Sequence, residues 1–208
     1  MTKKLLWILF ATMAIIIGLY PTLYFFLDKK FGLLSTKDNE LFNNTFWNLA
    51  FYIHIVLGGL ALLIGWTQFS AKIRAKKLNL HRQIGKIYVI SSLLSSLTSV
   101  YIAFYATGGL ITSLGFFCLG IIWFYTTLIA YLHIKKGSIA NHEKMMIYSY
   151  ASCFAAVTLR IWLPLLVILF NDFTTAYGIV AWLCWIPNLL IALLIVKRIE
   201  KRETINSR

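Results

Sequence analysis

Residues 46–69 of this chain read FWNLAFYIHIVLGGLALLIGWTQF, a run that contains no Asp, Glu, Lys or Arg. About 20 mostly apolar residues are enough for an α-helix to cross a bilayer. Such a run therefore predicts a transmembrane helix. Five comparable runs occupy 5–27, 84–106, 109–134, 145–170 and 174–196. The sequence thus predicts an all-α bundle of six transmembrane helices.

The composition supports the same class. Hydrophobic residues make up 60% of the 208 residues and charged residues only 13%, whereas soluble domains carry about 45–50% and about 25%. This excludes a soluble enzyme, a disordered chain and a secreted disulfide scaffold. The three cysteines each lie inside an apolar run without metal-type spacing, so we interpret them as packing residues. We expect residues 1–208 to form a single integral membrane domain.

The net charge of +13 reflects topology rather than nucleic-acid binding, because the cations lie in short segments between the apolar runs. Sixteen Lys and Arg residues fall on one side of the predicted bundle, including a basic tail at 197–208. The other side has three, namely Lys29, Lys30 and Lys37. Cytoplasmic loops carry the excess of Lys and Arg. We therefore expect both termini in the cytoplasm, and we name the cation-rich side the inner side. Anionic lipid head groups are its expected partners.

Two ionisable residues lie deep in the predicted helices, where such residues are costly and rare. His54 is about eight residues from the outer end of the second helix, a depth of roughly 12 Å. Arg160 is about eleven residues from the outer end of the fifth, a depth of roughly 16 Å. The runs contain no Asp or Glu. These depths predict a shared polar site, with a neutral acceptor or a ligand as the partner of Arg160.

The spacing of other residues extends this hypothesis along three helices. A stripe at helical spacing on the second helix ends in His54 and Gln68 and has small residues between them, which favours close helix packing or a flat trough for a planar ligand. Hydroxyl-bearing residues crowd 91–99, where they can bond to their own helix or a neighbour. His142 and Arg160 are 18 residues apart, which places them on one face of a continuous helix.

His81 and His142 occupy equivalent positions just before the third and fifth helices. Two neutral imidazoles at one depth can ligate a b-type haem or a divalent metal. Nearby Arg82, Lys86 and Lys144 would then neutralise the haem propionates. The alternative is that these histidines are interfacial groups, hydrogen-bonded to backbone or lipid.

Segments of the chain resemble a family of uncharacterised bacterial membrane proteins, domain of unknown function 2306, over about residues 45–165. The family pattern reads His-Arg-x-Trp-Met where this chain has His142 followed by Glu-Lys-Met-Met, so an acid stands beside the histidine here. The resemblance implies a bacterial cytoplasmic membrane protein and supports treating His54, His81, His142 and Arg160 as one set, but it implies no reaction. The matching segments are Phe51-Tyr52-Ile53-His54, Leu80-His81-Arg82-Gln83-Ile84-Gly85-Lys86-Ile87-Tyr88, Met145-Met146, Ser149-Tyr150-Ala151 and Thr158-Leu159-Arg160.

The leading hypothesis from the sequence is a membrane redox protein. It binds b-type haem or a quinone between the second, third and fifth helices. A first rival is a small transporter or channel subunit with His54 and Arg160 as its intramembrane site, although the sequence offers only Pro164 and Pro187 as helix breaks. Other rivals are an enzyme acting on lipid and a protein with a structural or assembly role.

Overall fold

The computed structural model describes residues 2–27 and 30–206 of the chain, and all regular structure within these ranges is helical. Asp28, Lys29 and Arg208, which enter the charge comparison above, lie outside the described residues, as does the side chain of Lys3. The α-helices are α1 (Thr2–Leu19), α2 (Leu23–Phe26), α3 (Asn39–Phe42), α4 (Thr45–Gly65), α5 (Ala71–Lys76), α6 (Leu78–Ala103), α7 (Gly109–Lys135), α8 (Ile139–Cys153), α9 (Ala155–Phe170), α10 (Phe173–Leu183) and α11 (Ile186–Asn206). Short 3-10 segments span Tyr20–Thr22, Gly32–Thr36 and Trp66–Phe69.

In the described part of the chain, six helical stretches are long and apolar enough to cross a membrane. This confirms the predicted all-α architecture. The sequence predicts both ends of the chain on the cation-rich inner side. That this side is cytoplasmic stays a prediction from the charge distribution. The spans are Lys4–Phe26, Thr45–Phe69, Leu78–Ala103, Gly109–Lys135, Ile139–Phe170 and Phe173–Ile205.

Three spans extend beyond the predicted apolar runs on the inner side. The third begins six residues earlier and the fifth also six, so His81 and His142 lie within the first turns of α6 and α8 rather than before them. The sixth continues as helix into the basic tail. A helix can continue in polar residues beyond the membrane. A prediction based on apolar runs therefore places the helix end too early.

Small residues on α4 bring its neighbours into close contact. A Cβ atom added at Gly65 would lie 2.4 Å from the ring of Tyr150 and 2.7 Å from that of Tyr88. One added at Gly58 would lie 2.8 Å from Ser95 Oγ on α6. The predicted small-residue stripe is therefore a helix-packing surface, as expected for membrane helices. At Gly65 the rings leave no trough for a ligand.

The fifth and sixth spans are each kinked, and the regular hydrogen-bonding pattern of the helix is interrupted there although Phe154 and Cys184 keep right-handed helical dihedral angles. Helix α8 ends at Cys153 and α9 begins at Ala155, while α10 ends at Leu183 and α11 begins at Ile186. His142 and Arg160 therefore lie on opposite sides of a kink rather than on one straight helix. Of the two possible breaks in the sequence, Pro164 lies inside α9, whereas Pro187 lies in the first turn of α11, directly after the second kink. Polar side chains satisfy the freed backbone groups: Thr158 Oγ1 donates to the Cys184 carbonyl, and so does Asn188 Nδ2 at 3.0 Å.

Left-handed residues close the outer turns. Gly108 and Gly109 have φ angles of 101° and 77° between α6 and α7. Asn171 has a φ of 49° and ends α9. Asp172 then caps α10, since its Oδ2 accepts a hydrogen bond of 2.7 Å from the backbone N–H of Thr175. These turns hold the outer ends of the last four spans together.

Candidate functional site

A cavity of about 230 Å³ lies in the outer half of the bundle. His54 from α4 and Arg160 from α9 both line it, so the structure brings together the two deep ionisable residues. The interrupted spans contribute Cys153 and Cys184 to the same wall. No Asp or Glu belongs to the described lining. The site is therefore rich in hydrogen-bond donors and carries positive charge.

His54 is held by α6 through three contacts with one residue. Its Nδ1 lies 3.0 Å from the backbone carbonyl of Ser95 and 3.1 Å from Ser95 Oγ, which donates in turn to the His54 carbonyl at 2.8 Å. A carbonyl oxygen only accepts hydrogen bonds, so Nδ1 carries the hydrogen. The Nε2 lone pair of a neutral His54 is then left for a ligand or a water molecule.

Arg160 has no carboxylate partner among the described residues. One guanidinium nitrogen donates to the Ala156 carbonyl of its own helix at 2.9 Å. The guanidinium carbon lies 4.2 Å from the ring centroid of Tyr20, a cation–π arrangement. A guanidinium has five N–H donors, so most of them remain for a ligand. The sequence predicted a neutral acceptor or a ligand as the partner of Arg160. The structure shows a neutral acceptor, the backbone carbonyl of Ala156, one helical turn before Arg160.

Two tryptophans that the sequence did not single out add donors to the same wall. Trp47 is 2% exposed and Trp123 is 6% exposed. Both line the cavity, and the indole N–H of Trp47 is buried without a hydrogen-bond partner, while that of Trp123 lies towards the Tyr88 hydroxyl. Buried indole N–H groups normally find a partner. Their position in the cavity wall is decided by helix packing, so no sequence signal marks them.

Lys37 lines the outer end of the cavity. Its Nζ donates to the Tyr105 carbonyl and, at 3.0 Å, to Thr107 Oγ1. Partial burial lowers the pKa of this ammonium below the ordinary lysine value, while the neighbouring Asp38 carboxylate acts in the opposite direction. The sequence marked Lys37 only as a topology signal, because its fold-back onto the α6–α7 turn is a tertiary feature.

The inner histidines lie apart from this cavity. His142 Nδ1 is 2.8 Å from the Ala130 carbonyl, which leaves Nε2 with its lone pair. His81 Nδ1 is buried without a partner, and His142 and Arg74 lie near enough to act electrostatically on its ring. No cluster of three or more His, Cys, Asp or Glu side chains suited to a metal occurs in the described ranges. Arg82 and Lys86 are exposed beside His81.

A buried hydroxyl network lies between the two histidine regions. Tyr88 Oη lies 2.8 Å from Ser149 Oγ, which lies 2.6 Å from Thr127 Oγ1. Thr127 donates to the Trp123 carbonyl of its own helix. Other serines of the 91–99 segment bond back to their own helix, as Ser99 does to Ser96. Within the hydroxyl-rich segment, Ser95 joins α6 to α4, whereas Ser96, Thr98 and Ser99 donate to carbonyls of their own helix.

Comparison with known proteins identifies a family but no activity. A family model described as "Predicted membrane protein (DUF2306)" matches residues 51–196, well over half of the chain. No curated protein matches. No solved structure matches either. The matched region contains His54, His81, His142 and Arg160.

Proposed function

We propose that this chain, which belongs to the DUF2306 family of predicted membrane proteins, is a redox protein that binds a quinone head group between His54 and Arg160. The observation that carries the proposal is that both residues line one cavity whose described wall has donors and no carboxylate. A quinone and its reduced quinol offer the complement, because one ring oxygen accepts a hydrogen bond from Arg160 and the hydroxyl of the quinol donates to the Nε2 lone pair of His54.

The wall of the cavity suits such a ring. Aromatic side chains from four helices line it beside the two polar residues, and ligand pockets typically combine an apolar wall with a few polar groups that fix orientation. A volume of about 230 Å³ accommodates a head group, not a long isoprenoid tail. The tail would therefore extend between helices into lipid. The aromatic residues are Tyr24, Trp47, Phe51, Phe116, Trp123 and Tyr177.

The polar residues have separate roles in this proposal. Arg160 donates to a carbonyl oxygen and stabilises negative charge that develops there on reduction. His54 is held in one tautomer by Ser95, so its Nε2 is the atom that exchanges a proton with the bound oxygen. A bound quinone supplies the two-electron chemistry.

Tryptophan fluorescence tests the proposal, because Trp47 and Trp123 line the cavity. Decylubiquinone is titrated into the purified protein in detergent. We expect saturable quenching, with weaker binding in His54→Gln. The control is His133→Gln, a histidine of the inner end of α7 that does not line the cavity. Quenching that does not saturate, or that is identical in His54→Gln, contradicts quinone binding.

A second candidate function is transport, which the two interrupted spans favour. Discontinuous helices that meet near the middle of the membrane form the binding sites of many transporters. Here both breaks border the cavity through Cys153 and Cys184. Uptake of a solute into proteoliposomes by protein free of any bound redox group, lost in His54→Ala, would favour transport over the quinone proposal.

The inner pair is a separate part of the redox proposal. Metal-ligating histidines usually donate their other N–H to a carbonyl or carboxylate, which is what His142 does with Ala130. His81 and His142 would hold a b-type haem or a metal ion by their free ring nitrogens, with Arg82 and Lys86 near the propionates. Tyr88 and Tyr150 fill the bundle at Gly65, so a haem would lie on the inner side of these rings.

An absorption spectrum tests the haem proposal. Protein from haem-replete cells should show a Soret band after reduction with dithionite, and His142→Ala should lose it. His133→Gln is again the control. A wild-type protein without the band, or a His142→Ala protein that retains it, contradicts this pairing. The exposed cations of the inner side are proposed to contact anionic lipid head groups.

A further inference from the structure

We propose that the cavity opens to the outer aqueous phase past Lys37, and that this entrance admits small organic anions in preference to cations. The inference goes beyond the quinone proposal, because a quinone reaches its site from lipid. It concerns water-soluble carboxylates and sulfonates. A redox or transport site needs an exchange route to water, and this entrance supplies one at the outer face.

The first argument is continuity between two spaces. A polar groove of about 550 Å³ lies at the outer surface, between the segment 36–44 and the α6–α7 turn. Lys37 and Ala106 line both this groove and the cavity. The two spaces therefore adjoin at these residues, and in this proposal a movement of the Lys37 side chain joins them.

The second argument is the nature of the bonds that hold Lys37 in place. Its ammonium contacts the Tyr105 carbonyl and the Thr107 hydroxyl, both neutral acceptors. Thr36 Oγ1 lies 3.0 Å from the same Thr107 hydroxyl. An anion in the groove competes for the ammonium with a stronger, charge-assisted hydrogen bond. Anions are thus able to displace Lys37 from its contacts where cations are not.

The third argument is the charge distribution along the route. The groove is lined by two carboxylates, Asp38 and Glu40, as well as Lys37. Both carboxylates are on exposed residues, where water and salt weaken their repulsion of an anion. Beyond Lys37 the described wall has a single further charge, that of Arg160, and it is positive. In that low-dielectric space the cations determine which ligand enters.

The inner end of the cavity is closed by packing. Leu62 is 1% exposed, and its carbonyl accepts a hydrogen bond of 3.0 Å from the Tyr150 hydroxyl. Tyr150 in turn packs so closely on Gly65 that no Cβ would fit between them. Water-soluble ligands therefore reach His54 and Arg160 from the outer side.

Cysteine labelling from the outer side tests the entrance without any bound quinone. Ser99 lines the cavity beyond Lys37, so Ser99→Cys is placed in a background with Cys118, Cys153 and Cys184 replaced. Intact cells are treated with the anionic reagent 2-sulfonatoethyl methanethiosulfonate or with its cationic trimethylammonium counterpart. Neither reagent crosses membranes. The rate of labelling by the anionic reagent is divided by the rate of labelling by the cationic reagent. This ratio is then normalised by the same ratio measured for a free thiol in solution.

We expect a normalised ratio of at least about 10, because a charged, low-dielectric cleft raises association rates by this order. Lys37→Met should bring the ratio towards one, while Lys37→Arg should retain it. Lys30→Met is the matched control, an exposed lysine of the same outer segment that lines neither space. It should leave the ratio unchanged.

Three results would overturn the proposal. They are a ratio near one in the Lys37 protein, a ratio that Lys37→Met does not change, and a Ser99→Cys thiol that no outer reagent reaches. Permeant N-ethylmaleimide and a size-exclusion profile are measured on each variant. They show whether the thiol is present in folded protein, so that an unlabelled thiol in folded protein counts against the entrance.

Discussion

Replacing Arg160 with leucine should weaken the binding of decylubiquinone by about 10- to 150-fold. The estimate comes from the loss of one charge-assisted hydrogen bond, worth about 1.5–3 kcal/mol, at about 1.4 kcal/mol for each factor of ten in Kd. The bond is available to a ligand because, among the described residues, the guanidinium donates to one protein carbonyl, that of Ala156. Arg160→Lys should bind with intermediate affinity.

The same change should leave the fold intact. It removes the bond to Ala156 and the cation–π contact with Tyr20, together worth about 1–3 kcal/mol. It also removes an arginine from the middle of the membrane, where insertion scales assign a cost of about 2.5–3.5 kcal/mol. These contributions nearly cancel. A loss of binding in Arg160→Leu is therefore a loss of the ligand contact.

The assay is tryptophan quenching by decylubiquinone, combined with unfolding of the same samples. Arg82→Leu is the control, since this arginine is exposed on the inner side and does not line the cavity. Two results would refute the reasoning. One is an Arg160→Leu protein with wild-type affinity. The other is an Arg82→Leu protein that loses affinity to the same extent.

Three further predictions concern topology, packing and capping. A phosphatase fused to the carboxyl terminus should be inactive, and one inserted within 30–42 active; the reverse pattern contradicts the positive-inside assignment. Ser149→Ala should lower the free energy of unfolding by about 1–3 kcal/mol, because it leaves the buried Tyr88 hydroxyl without this partner; an unchanged denaturant titration contradicts this. Asp172→Asn should lower the melting temperature at neutral pH. The hydrogen bond from Thr175 lowers the pKa of the Asp172 carboxyl, so its stabilisation is lost as pH falls through that pKa, and the two melting temperatures should converge in acid.

The sequence predicts the spans well because length and apolarity alone decide whether a helix crosses a bilayer. It does not predict where the helices end, since α6 begins in the polar stretch before its apolar run. The kink at Phe154 leaves no signal in the sequence, whereas the one at Trp185 is followed directly by Pro187, one of the two possible helix breaks in the sequence. Both lie inside continuous apolar runs and depend on Thr158 and Asn188, which bond across the two interrupted spans.

The candidate site is only partly visible in the sequence. His54 and Arg160 stand out because an ionisable residue inside a membrane is costly, and their depths place both in the outer half. The donors of Trp47 and Trp123 do not stand out, since tryptophan is an ordinary residue of an apolar helix. Lys37 belongs to a loop, and its contact with the Thr107 turn follows from the packing of distant segments.

Analysis of the lipids that co-purify with the protein tests the central claim most directly. Protein from native-like membranes is extracted, and its quinones are quantified by mass spectrometry against those of the bulk detergent extract. We predict about one quinone per chain in the wild type, with a loss in both His54→Ala and Arg160→Leu and no loss in His133→Gln. A wild-type protein with no more quinone than the bulk extract would contradict a quinone site between His54 and Arg160.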